Sequence, residues 1–174
     1  FSSSVTNFRV GFSTSNSSGS MVGTLTLANT NTIAATNLFV GVSSAGTSTN
    51  GGTGTVNFGQ SNTIYADTIT IGAGKSSGSM GFTSGSGTAT VTIRGAAGGS
   101  SKAALNLGIQ NLNTGAAISG TLDFGSAMAD AKFSTINMGS GATGTGTGTG
   151  TGTLAFGAGA ITADTVNVGL GTAA

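Results

Sequence analysis

One unit recurs along this chain about every 31 residues, and it constrains the fold more tightly than any other feature. It reads Gly-Thr-apolar-polar-apolar, a short spacer, then polar-apolar-polar-apolar-Gly. The first half is Gly23-Thr24-Leu25-Thr26-Leu27, Gly54-Thr55-Val56-Asn57-Phe58, Gly120-Thr121-Leu122-Asp123-Phe124 and Gly152-Thr153-Leu154-Ala155-Phe156, with a looser copy at Thr90-Val91-Thr92-Ile93. The second half closes at Gly11, Gly41, Gly72, Gly108, Gly139 and Gly169. A fixed period of this size, made of strands, is the mark of a solenoid whose units stack to build one continuous core.

Successive side chains of a strand point to opposite faces, so the alternation separates a core from a surface. The opening strand of each coil turns inward Leu25 and Leu27, Val56 and Phe58, Val91 and Ile93, Leu122 and Phe124, Leu154 and Phe156. The closing strand contributes Leu38 and Val40, Ile69 and Ile71, Leu105 and Leu107, Ile136 and Met138, Val166 and Val168, with Phe8 and Val10 at the start of the chain. Outward stand a threonine column (Thr24, Thr55, Thr90, Thr121, Thr153) and an asparagine column (Asn106, Asn137, Asn167). Stacked parallel strands about 4.8 Å apart require this agreement from coil to coil. A middle element around Ile33, Ile64 and Ile161 brings the expected count to three short strands per coil. Each closing glycine marks a corner where the backbone needs positive φ or close approach.

The stretches after each closing glycine are rich in Ser, Gly and Thr and read as one recurring face of outward loops. The last contains the alternating Gly-Thr run 143–153, expected to be a loop. Register is ambiguous over residues 73–104. Residues 78–95 resemble a repeat half of their own, and the Gly-Ala-Ala-Gly-Gly-Ser-Ser run 95–101 reads as an insertion.

Only 5% of residues are charged and the net charge is +1, which excludes the electrostatic footprint of a nucleic-acid or anionic-membrane binder. The chain has no Cys, hence no disulfide framework or thiolate metal site, and no His, hence no imidazole base or ligand. No stretch reaches the roughly 18 apolar residues that span a bilayer, and no basic-then-apolar leader is present. The chain starts inside a repeat, as after removal of a leader or in a piece of a longer protein. The Gly, Ser and Thr content alone would suit a disordered chain, but the positive mean hydropathy and period-two apolar spacing favour folding.

Few residues could carry chemistry. The acids are Asp67, Asp123, Asp130 and Asp164. Asp67 and Asp164 share a column but lie three coils apart, roughly 14 Å by strand spacing, too far for a carboxylate pair; corner caps are the expected role. Asp123 and the pair Asp130 and Lys132 read as surface charges. Gly74-Lys75-Ser76-Ser77 lacks the spacing and helix of a phosphate loop, and the calcium nonapeptide pattern is missing. Lys75, Arg94 and Lys102 bunch around the irregular coil as an expected solvated patch, with Arg9 and Lys132 apart. Asn16-Ser17-Ser18 matches a glycosylation acceptor. The threonine column invites comparison with ice-binding arrays, but its neighbours Thr26, Asn57, Thr92, Asp123 and Ala155 are mixed, so a structural ladder of β-branched residues is the better reading.

On the Gly-Thr-Leu-x-Phe, Asn-Thr-Ile and Val-Asn-Val-Gly units, nearly the whole chain resembles the β-strand-repeat passenger regions of large bacterial surface exoproteins, of the autotransporter and filamentous-haemagglutinin kind. That resemblance implies a stalk, adhesin or matrix fibre rather than an enzyme; the C-terminal membrane barrel of an autotransporter is not part of this sequence. The expectation is an all-β, single-domain parallel β-solenoid over 1–174, a right-handed β-helix of about five coils and a partial coil, the hand following the crossover preference. Its expected role is a structural extracellular or cell-surface protein, a subunit or segment of a fibre grown by end-to-end stacking, because open parallel edges without proline, charge or cap are templates for further pairing. The partner would be a second copy of itself through the coil ends, with no catalytic residue, cofactor, metal, nucleic acid or membrane insertion. The alternative is a carbohydrate-binding or adhesive passenger that uses the loop face on surface glycans.

Overall fold

The computed structural model describes residues 1–14, 21–46, 51–83, 85, 87–142 and 145–170, and of Leu170 the backbone alone. Among them are twelve strands and no helix: β1 (Ser2–Ser13), β2 (Val22–Thr26), β3 (Thr30–Ser43), β4 (Thr53–Asn57), β5 (Ser61–Ala73), β6 (Ser77–Gly81), β7 (Thr90–Arg94), β8 (Ala103–Ile109), β9 (Ile118–Asp123), β10 (Met128–Ser140), β11 (Gly150–Ala155) and β12 (Ala158–Leu170). They form two parallel sheets. The long-strand sheet runs β1-β3-β5-β10-β12 with β7 and β8 side by side between β5 and β10, and the short-strand sheet runs β2-β4-β6-β9-β11. The chain is a parallel β-solenoid, each strand stacked on its counterpart about 31 residues away, as in Ile33↔Ile64 and Leu38↔Ile69.

Two strands, not three, make an ordinary coil, because the middle element and the closing strand are continuous. The inward phase slips once within each long strand: Ile33 and Ala35 are buried, then Leu38 and Val40. The ladder skips Thr36 and Asp67 between Ala35↔Ala66 and Asn37↔Thr68, so the strand bends there without breaking its pairing. Pairing also continues past each closing glycine, and Val42 and Ala73 are buried beyond the corner.

The irregular coil departs from the sequence expectation. Thr90–Ile93 is no opening strand; it belongs to the long-strand sheet, with Thr90 beside Ser61 and Met128. The opening strand of this coil is β6, where Gly78-Ser79-Met80 aligns with Gly54-Thr55-Val56 and with Gly120-Thr121-Leu122. The stretch from Gly72 to Gly78 is much shorter than that from Gly41 to Gly54, and the run 95–102 splits what would be one long strand into β7 and β8. A short connection and a later insertion together restore the register by Gly108. The Gly-Thr run also departs from a pure loop: residues 150–153 lie in β11, and Gly148 N donates to Thr114 O.

The corners explain both glycine columns. All six closing glycines have positive φ, between 62 and 71°, where a Cβ is disfavoured. The first five also touch the opposite sheet: a methyl on Gly41 would lie 1.8 Å from Ser77 O, and one on Gly54 would lie 2.1 Å from Gly41 N. An opening glycine therefore nests between successive closing strands, Gly54 between Val10 and Gly41, Gly120 between Ile71 and Gly108, Gly152 between Leu107 and Gly139. Between the sheets lies one core of stacked Leu, Ile, Val, Phe and Met columns. Each side chain fully buried there contributes roughly 1.5–3 kcal/mol of transfer free energy.

Candidate functional site

The inward columns are covered through the middle of the solenoid. Leu27, Leu38, Val40, Val56, Phe58, Ile69, Ile71, Val91, Ile93, Leu105, Leu107, Leu122, Phe124 and Ile136 are buried, while Leu25, Met138 and Leu154 are partly buried against them. Phe156, Val166 and Val168 are not core: they are 53%, 55% and 73% exposed. Val166 and Val168 continue the columns of Ile136 and Met138, and among the described residues no further coil covers them. β12 packs on β10, and β11 lies across from β10 and β8, so among the described residues the last long strand has no short strand opposite.

On the outer face of the short-strand sheet the threonine column is Thr24, Thr55, Ser79, Thr121 and Thr153; Ser79 takes the place expected for Thr90. A second hydroxyl rank runs beside it, Thr53, Ser77, Ser119 and Thr151, with Val22 at its end. Its signal was in the sequence as hydroxyl-Gly-hydroxyl triplets at 53–55, 77–79, 119–121 and 151–153. The glycine between each pair of hydroxyls faces inward, where the corner of the other sheet leaves no room for a side chain.

The asparagine column on the long-strand sheet is hydrogen-bonded end to end, Asn167 Nδ2 donating to Asn137 Oδ1 and Asn137 Nδ2 to Asn106 Oδ1, both at 2.8 Å. A second, buried asparagine pair was visible in the sequence only as an alignment. Asn31 Nδ2 donates to Asn62 Oδ1, and Asn62 also bonds both N and O of Gly59, satisfying backbone groups at the turn between the sheets.

The charges do not form a solvated patch. Arg94 is only 8% exposed; its guanidinium donates to Ile93 O, Gly99 O, Asp130 O and the Asp130 carboxylate. Asp130 thus pairs with Arg94 of the neighbouring coil. Lys102 pairs with Asp164, and Ala96 N donates to Asp67 Oδ1, so both ends of the 95–102 insertion are tied to the sheet. Lys75 is buried as well. Asp123 Oδ1 accepts from Gly125 N, a local turn cap. The Arg9 guanidinium carbon sits 4.3 Å from the Phe12 ring centroid. Among the described residues no group of three or more metal-ligating side chains converges. The Asn16-Ser17-Ser18 acceptor lies outside the described residues.

This arrangement offers periodic polar faces on both sheets. No protein-family model, curated protein or solved structure matches the chain.

Proposed function

We propose that the chain is a structural rod, a segment or subunit of an extracellular fibre in which solenoid coils stack end on end. The observation that carries this reading is the in-register parallel stack, in which equivalent positions pair from coil to coil, Val10↔Val40↔Ile71 and Met138↔Val168, along shared columns. Such a ladder pairs with any parallel strand of the same repeat, and the sparse charge provides little repulsion against self-association. The partner is then a second copy, the role non-enzymatic, the location the cell exterior. Electron microscopy and sedimentation of the purified protein test this: rods that lengthen with concentration are expected, and discrete monomers at every concentration overturn it.

A second reading, adhesion to a carbohydrate surface, is favoured by the two hydroxyl ranks of the short-strand sheet, which present donors and acceptors at regular spacing. The face concerned is a sheet rather than the loops. Binding to insoluble polysaccharide that is lost on replacing Thr55 and Thr121 with Val would support it; no retention on any glycan would remove it.

A further inference from the structure

The paired hydroxyls of the short-strand sheet form a lattice of their own. Thr53 and Thr55, Ser77 and Ser79, Ser119 and Thr121, and Thr151 and Thr153 stand on β4, β6, β9 and β11, strands that pair directly in that order. Neighbours are therefore about 4.8 Å apart along each rank and about 6.6–6.8 Å apart across the two ranks, from strand spacing and twice the rise per residue. Each is exposed or half-buried, and the glycine between them turns inward. A Cβ on Gly54, Gly78, Gly120 or Gly152 would lie between 1.9 and 2.6 Å from backbone atoms of the other sheet, so the opposite corner pins the hydroxyl spacing from below. Threonine adds its own stiffness at χ1. The mixed column at Thr26, Asn57, Asp123 and Ala155 spoils a regular array on one side of the threonines, but the rank on the other side is uniform.

These hydroxyls are also uncommitted. Among the described residues only Ser77 Oγ bonds within the chain, accepting from Ser119 N at 3.0 Å, and it keeps its proton to donate. The asparagine column of the other sheet behaves differently, because its side chains bond one another from coil to coil. No residue of the two ranks is charged or aromatic. A sugar ring has no aromatic face to stack on there, and Asp123 stands one column away, tied to Gly125 N.

We infer that this face binds ice, its ligand being the ordered oxygen lattice of crystalline water. Hexagonal ice presents oxygens at two perpendicular repeats close to those of the ranks, so a regular hydroxyl array meets it in both directions at once. A water taken from the liquid loses freedom when a protein group holds it, whereas a water of the crystal has lost it already. Fixed spacing therefore favours the solid over the liquid, and each hydroxyl adds to the effect of its neighbours. The threonine methyls enter the hollows of the lattice and leave less apolar surface facing liquid water. Ser77 and Ser79 lack those methyls, which makes their level the weakest of the four. This ligand differs from the polysaccharide of the second reading and does not depend on the rod.

Growth of ice in solutions of the 174-residue chain is the test. Faceted crystals, a gap between melting and freezing, and uptake of the labelled chain into a slowly frozen hemisphere are expected. Thr121→Tyr, which lifts a ring above the ranks, should abolish all three. Thr63→Tyr, on the outer face of the long-strand sheet, should abolish none. Ser79→Thr should widen the gap by supplying a missing methyl. All three positions face outward, so unfolding midpoints near wild type are expected and show that the variants fold. Rejection of the wild-type chain by growing ice overturns the inference, as does a gap that survives Thr121→Tyr or is lost with Thr63→Tyr. Retention on insoluble polysaccharide by a chain that ice rejects would overturn it in favour of a sugar surface.

Discussion

The first and last coils have the same motif and opposite fates. At the first, β2 packs across from β1, so Val10 is 8% exposed and Phe8 is half-buried, with the Phe1 ring edge-on against it at 6.2 Å. At the last, Val168 stands in the position equivalent to Val10 and is 73% exposed, because among the described residues no short strand crosses it. In a solenoid a residue is core only if the level beside it and the sheet across from it are both filled. Equal sequence at unequal depth has unequal energy.

The widest contrast is at the closing glycines. Gly41→Ala places a Cβ at positive φ and 1.8 Å from Ser77 O, and should destabilise by about 3 kcal/mol or more. Gly169→Ala meets only the strained φ and should cost about 1–2 kcal/mol. Equal costs in denaturant unfolding would mean that the last corner is as crowded as the others. Core truncation should separate the same regions: Leu107→Ala loses about 2–5 kcal/mol, whereas Val168→Ala stays within about 0.5 kcal/mol unless the chain is polymerised. A concentration-dependent cost for Val168→Ala would be the direct sign that this end is covered in an assembly.

Smaller effects sharpen the middle coil against its neighbours. Arg94→Met strips the Asp130 carboxylate and three carbonyls of their donors and should cost about 1–3 kcal/mol, with faster proteolysis across 95–102. Lys102→Ala removes a largely exposed pair and should cost under about 1 kcal/mol. Asn137→Ala interrupts the asparagine column and should cost about 0.5–1.5 kcal/mol by thermal unfolding.

Much of this was legible in the sequence where chemistry is local. Period-two alternation marks Leu105 and Leu107 as inward and Asn106 as outward without reference to any contact. The irregular coil was not legible in the same way. Thr90-Val91-Thr92-Ile93 has the alternation of an opening strand yet pairs with Ser61–Ile64, because alternation says which face a residue takes and nothing about which sheet it joins. Arg94, Lys75 and Lys102 clustered along the chain without distinction, and only the fold of the 95–102 insertion buries the first and leaves the last exposed.

By itself, the sequence determined the parallel β-solenoid, its 31-residue period and the glycine at each corner, because strand alternation and backbone sterics are properties of a few neighbouring residues. The tertiary structure alone decided that Thr90–Arg94 joins the long-strand sheet while Ser77–Gly81 takes the opening position of that coil. That assignment depends on how the two sheets interleave at the glycine corners, a packing relation between residues a full coil apart that no local pattern records.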